Sequence, residues 1–128
     1  YECKDPVAFA ADALAKTKAG DTAPLQWFMY EGPAGPAKAK LEKEVLLGDA
    51  SDAGTKSAQT VVLRAAKLAG SFAMEKGELE TLLLELAKAG ATGESMQSRI
   101  VSDCAEALFR SNSDQVAAVR DWFLKKSS

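Results

Sequence analysis

Apolar residues recur at helical intervals along most of this chain. Val61, Ala65, Leu68 and Phe72 stand at i, i+4, i+7 and i+11, one face of an α-helix, and Val62 and Ala69 widen the stripe. The stripe runs through Gly70, so the pattern predicts one helix from about Thr55 to Lys76, at a cost of about 1 kcal/mol for the glycine. Gly77 then breaks the chain. Leu79, Leu82, Leu83 and Leu86 make the next helix, closed by Gly90. Met96, Ile100, Cys104 and Leu108 make another, which places Cys104 on a buried face.

The punctuation between these stripes is helical as well. "DPVAFAADALAKTKAG" offers Asp5 as N-cap, Pro6 at the first helical position and Gly20 beyond the end. Val7, Ala10, Ala11 and Leu14 form its apolar stripe. "GPAKAKLEKEVLLG" repeats the scheme from Pro36 to Gly48, with Leu41, Val45 and Leu46 inward and Lys38 and Glu42 paired four apart on the outer side. "SDQVAAVRDWFLKK" opens on Ser113 and ends on two lysines that suit a helix C-terminus; Val116, Val119 and Phe123 form its stripe, with Trp122 beside it. No segment alternates with a period of two, and valine and isoleucine are sparse, which disfavours sheet. The expected fold is all-α: one compact antiparallel bundle spanning residues 1–128, with about five longer helices, a short helix around Trp27 and short loops.

That short helix raises a separate question. "PLQWFMYEGPAGP" places Trp27, Phe28, Met29 and Tyr30 in consecutive positions. On a helix they point about 100° apart, so they cannot all face one core. The segment is either a plug that seals the bundle or a docking element for a partner. Trp122 and Phe123 pose the same choice near the C-terminus. These six residues are the candidate partner-binding positions, since aromatics and methionine are enriched in interface cores.

Composition narrows the chemistry. The 128 residues carry 16 basic and 18 acidic side chains, a net charge of −2, and each half (1–64 and 65–128) holds eight basic and nine acidic. The basic patch of a nucleic-acid binder is missing. The longest run of large aliphatics is Leu82–Leu84, far short of the ~20 residues that span a bilayer. There is no histidine. That removes Ser–His and Cys–His nucleophile pairs, histidine general bases and the common zinc sites. Two cysteines cannot supply four thiolates to an iron–sulfur cluster. An enzyme would be left with carboxylate, lysine, serine or tyrosine chemistry. Glu75, Glu78, Glu80 and Glu85 look like a solvated face.

"GDASDAGTKSAQ" resembles neither a phosphate loop nor a calcium loop closely enough to be one. Its glycine and lysine spacing is wrong and no strand precedes it, and Ala53 and Thr60 stand where calcium ligands belong. The plainer expectation is a cap for the long helix, through Asp52 or Thr55. No metal or cofactor is expected.

The even count and wide spacing of Cys3 and Cys104 permit one bridge from the N-terminus to a late helix, worth about 4–5 kcal/mol in the chain-entropy account, the alternative being two free thiols, one exposed and one buried. A bridge implies an oxidising compartment, and the chain begins at Tyr1 rather than Met, as a processed or trimmed protein would. The expected function is a non-catalytic protein-interaction module in an extracytoplasmic (periplasmic, secreted or lumenal) space, acting as an accessory subunit or a small inhibitor. The alternative is a bundle that carries an apolar ligand or pigment, with room left by small residues such as Ala65, Ala69 and Gly70.

Overall fold

The computed structural model describes residues 5–49, 51–90, 96–110 and 121. Among them are six helices and no strand: α1 (Pro6–Lys18), α2 (Ala23–Glu31), α3 (Pro36–Leu46), α4 (Ala53–Ala69), α5 (Lys76–Lys88) and α6 (Met96–Arg110). The all-α expectation holds, and α2 is the short helix around Trp27. Contacts divide the chain into two compact units, Tyr1–Met74 and Glu75–Ser128.

In the first unit, local chemistry sets each helix start. Asp5 caps α1 by accepting from the Ala8 N–H at 3.2 Å, with Pro6 behind it. Asp52 caps α4 by accepting from the Gly54 N–H at 2.9 Å. The glycine at 54 is needed for packing: a Cβ there would stand 2.8 Å from the Thr17 carbonyl oxygen. Its absence lets the start of α4 lie against the end of α1.

The core of this unit comes from all four helices. Leu25 and Phe28 of α2, Leu41, Val45 and Leu46 of α3, Val62 and Leu63 of α4, and Ala10 and Ala13 of α1 are all buried. Their burial, rather than intrinsic propensity, supplies most of the helical stability.

Several expectations are corrected by the structure. First, α4 stops at Ala69. Gly70 adopts the left-handed conformation (φ 82°) and its N–H bonds back to the Lys67 carbonyl. Glycine enters that region at no steric cost, so a chain able to stop there does so even though the apolar pattern continues. The buried face is Ala58, Gln59, Val62, Leu63, Ala65 and Ala66, while Leu68 is 80% exposed.

Second, Gly77 does not break the chain but sits in the first turn of α5. The first N–H groups of a helix lack intrahelical partners in any case. Third, α1 is rotated. Ala10, Ala13 and Thr17 face inward, whereas Val7 is 62% exposed and Ala11 is exposed. Phe9 decides the rotation: its ring stacks on Phe28 (centroids 5.6 Å apart) and meets Trp27 edge-on at 5.2 Å. Thr17 tolerates burial because its hydroxyl donates to the Ala13 carbonyl at 2.9 Å.

The second unit pairs α5 with α6. Leu79, Leu82, Leu83 and Leu86 are buried from α5, and Ile100, Val101, Cys104, Ala105 and Leu108 from α6. Glu80 is buried as well, so the expected solvated face reduces to Glu75, Glu78 and Glu85. On α5, Glu80 lies three residues before Leu83, at the flank of the leucine face. The segment 113–126, with Trp122 and Phe123, lies outside the described residues apart from Asp121.

Candidate functional site

The aromatic run divides its duties. Phe28 has no exposed surface and Met29 is buried, together with Pro24 and Leu25. Trp27 is half-buried against Phe9, and Tyr30 is 43% exposed. Two of the four candidate contact residues are therefore core. Only Tyr30 and one side of Trp27 offer surface. Cys104 is fully buried, and Cys3 lies outside the described residues.

Lys38 and Glu42 do not form an outer pair, contrary to expectation. Lys38 is half-buried and donates from Nζ to the carbonyls of Met29 (3.2 Å) and Gly32 (2.9 Å). It thereby caps the C-terminus of α2, where a positive charge also suits the helix dipole. Its Nζ lies 6.0 Å from the Phe28 ring centre, within cation–π range. Glu42 is buried on the inner side of α3 and accepts from the backbone N–H groups of Ala73 (2.8 Å) and Met74 (3.1 Å). Burial pushes its carboxyl up to about 7. The two backbone N–H groups and the Lys38 charge pull the other way without winning.

Gln59 is a further buried polar group of the first unit. Its amide donates to the carbonyls of Val45 (3.2 Å) and Gly48 (3.0 Å), and at 3.5 Å to that of Leu46. It closes the C-terminal end of α3 from α4. Its own Oε1 is buried with no hydrogen-bond partner among the described residues. Counting inward from Val62 places residue 59 on the buried face one turn earlier, so periodicity carried a signal for it. Nothing in the pattern marked Lys38 and Glu42, because their partners are backbone groups of other segments.

The loop "GDASDAG" uses its carboxylates locally. Asp49 accepts from the Ser51 N–H at 2.9 Å, which holds its carboxyl below the usual range, and Asp52 serves as the cap already described. No group of three or more metal-ligating side chains is found among the described residues.

An open groove lies between α1 and α3 in the first unit, with a volume of about 430 Å³. Val7, Ala11 and Leu14 line one wall, Ala37 and Leu41 the other, and Lys18, Lys40 and Glu44 stand at its edges. The stripe read from the sequence as α1's core face is thus largely the wall of this groove. A second hollow, about 590 Å³, continues from Leu14, Lys18 and Glu44 toward Gly48, Asp49 and Thr55. It brings the C-terminal ends of α1 and α3 together, so the two helices run in the same sense. The small residues expected to leave room lie elsewhere: Ala65 is buried in α4's packing face, and Ala69 and Gly70 are exposed at its end.

No helix among the described residues is long and apolar enough to cross a membrane. Comparison of the chain with known protein families, with curated proteins and with solved structures finds no match.

Proposed function

We propose that this chain is a non-catalytic protein-interaction module whose α1/α3 groove takes an amphipathic helix from a partner protein. The observation that carries this reading is the apolar stripe of α1, left facing an open groove with Val7 62% exposed. A helix-in-groove contact needs two helical walls and an apolar floor. Here the walls are rich in alanine, so an incoming helix can approach closely. Charge adds a preference. Lys18 and Lys40 stand at the edges with no ion-pair partner among the described residues, against the single carboxylate of Glu44. The partner helix should therefore carry acidic residues beside its apolar face.

The second reading, an apolar small molecule, rests on the same groove. Its volume falls within the roughly 300–1,000 Å³ common for ligand pockets.

Ala11→Glu separates these readings from a groove that binds nothing. Residue 11 is exposed on the groove wall, so the substitution should leave the melting temperature nearly unchanged while placing a carboxylate across the opening beside the lysines. Tagged wild-type protein, gel-filtered from its native extract, should elute well above 13.5 kDa with a defined second chain. The purified pair should bind at least about tenfold more tightly than the Ala11→Glu pair, a difference of ~1.4 kcal/mol. Equal binding by the variant would reject the groove as the interface. Elution alone, with an apolar compound released by organic solvent from wild type only, would favour the ligand reading.

The role we assign is that of an accessory subunit or small inhibitor in an extracytoplasmic or lumenal space. Support for the compartment comes from the cysteine pair. If Cys3 and Cys104 are bridged, the intact mass should lie about two daltons below the fully reduced value. Ready labelling of both thiols in denaturant without reductant would remove that support.

A further inference from the structure

We propose that Glu42 is a proton-operated clamp: its carboxyl holds the segment that leaves α4, and loss of its proton loosens that hold. The geometry sets the clamp. One oxygen, Oε1, accepts from two consecutive backbone N–H groups, those of Ala73 and Met74, which lie 31 and 32 residues further along the chain. Ala73 and Met74 belong to the connection between Gly70, where α4 ends, and Glu75, which precedes α5. Met74 is buried and is the last residue of the first compact unit. The clamp therefore acts where the chain passes from one unit to the next.

The charge environment makes the clamp sensitive to pH. Glu42 is only 4% exposed. Its carboxyl is raised to about 7, chiefly by burial, and Lys38 is the ionisable neighbour that acts on it, pulling downward. Lys38 is itself engaged with the Met29 and Gly32 carbonyls. The other elements packed against α3 are α1, with Asp12, Lys16 and Lys18, and α4, with Lys56, Arg64 and Lys67.

The direction follows from linkage. The clamped carboxyl holds its proton up to about pH 7, whereas an opened one, in water, releases it near 4.5. Opening therefore releases a proton between those values and becomes easier as pH rises. The clamp is at full strength below about pH 4.5, weakens as pH rises toward 7, and changes little above that. An opened carboxylate also gains hydration that the buried site denies it.

The test is amide hydrogen exchange at Ala73 and Met74 in the full chain, with intrinsic base catalysis divided out and the buried Leu63 amide of α4 as reference. Between pH 5 and pH 8 the opening of these two amides should increase on the order of 50-fold in wild type. Glu42→Gln keeps an oxygen that accepts both N–H groups but cannot ionise, so its protection should be flat across the same range. Equal pH dependence in wild type and Glu42→Gln, or flat protection in wild type, would overturn the proposal. Should the variant not fold, the side-chain carboxyl carbon of Glu42, followed by NMR in wild type, decides the matter independently. A midpoint near 7 supports the clamp, and one near 4.5 rejects it.

Discussion

Phe28→Ala should lower the unfolding free energy by about 3–5 kcal/mol, the range for removing a fully enclosed aromatic ring. The ring has no exposed surface, Phe9 stacks on it and Lys38 lies over it. Its surroundings also leave little scope for collapse into the void. The backbone at Gly32 already presses so closely that a Cβ there would sit 3.0 Å from a Phe28 ring carbon. A cavity that cannot collapse keeps its full cost. Against the roughly 5–15 kcal/mol of total stability usual for a folded chain, that loss is a large fraction.

The neighbouring substitutions should fall in order. Trp27→Ala removes a half-buried ring and one edge contact to Phe9, and should cost about 1–3 kcal/mol. Tyr30→Ala removes an exposed side chain and should stay within about 0.5 kcal/mol. Urea unfolding followed by circular dichroism, with the three slopes compared, measures all of them. Equal losses at Phe28 and Tyr30 would mean that the run is enclosed on every side and works as one plug.

The helical class, most helix starts and the faces of α5 and α6 were legible in the sequence for a common reason. Each is fixed by local chemistry or by one dominant apolar stripe. Asp5–Pro6 and Asp52 act on N–H groups within three residues of themselves, and four leucines leave α5 a single inward side. Where alanine is abundant, that clarity fails. In α1 both Val7–Ala11–Leu14 and Ala10–Ala13–Thr17 are acceptable stripes, and the choice depends on Phe9 meeting two rings of another helix. In α4 the apolar pattern ran past Gly70, but a left-handed glycine cap depends on where the next segment must go.

The groove was only partly legible. Its wall is the stripe that periodicity assigns to the core, and an apolar stripe looks the same whether it faces its own chain or a partner. The polar residues that organise the first unit were the least legible. Lys38, Glu42 and Gln59 serve the ends of other segments, α2, the connection after α4 and α3 respectively. Such long-range capping satisfies backbone groups that would otherwise be buried without partners; periodicity places Gln59 on the buried face of α4 but does not show which carbonyls it serves, and for Lys38 and Glu42 it gives no sign at all.

Gln59→Glu carries the other large expected effect, because it reverses the polarity of one of those capping groups. The native amide donates toward three carbonyls at the end of α3, and its own oxygen has no partner among the described residues. A carboxylate in its place has no hydrogen to give, so the carbonyls of Val45 and Gly48 lose their donor. Its charge would lie buried against their negative ends, with no cation among the partners of residue 59. Leaving an uncompensated buried charge typically costs about 3–5 kcal/mol. At neutral pH the variant should therefore be at least as damaged as Phe28→Ala.

Unlike the phenylalanine change, this damage should be reversible by acid. The buried glutamic acid at position 59 should hold its proton more tightly in the folded chain than in the unfolded one. Its penalty is then absent below about pH 4.5 and grows as pH rises toward the folded value. The protonated acid can also donate one hydrogen bond to a neighbouring carbonyl. The quantity to measure is the stability difference between variant and wild type at pH 4.5 and at pH 7.5, since wild type carries the Glu42 titration on its own account. That difference should widen by at least about 2 kcal/mol over the interval. Gln59→Leu, which removes the donor and the unpartnered oxygen together, should cost a pH-independent amount of about 1–3 kcal/mol. A Gln59→Glu penalty that stays constant with pH would show that its carboxylate escapes to water, and that the end of α3 opens more readily than its buried carbonyls imply.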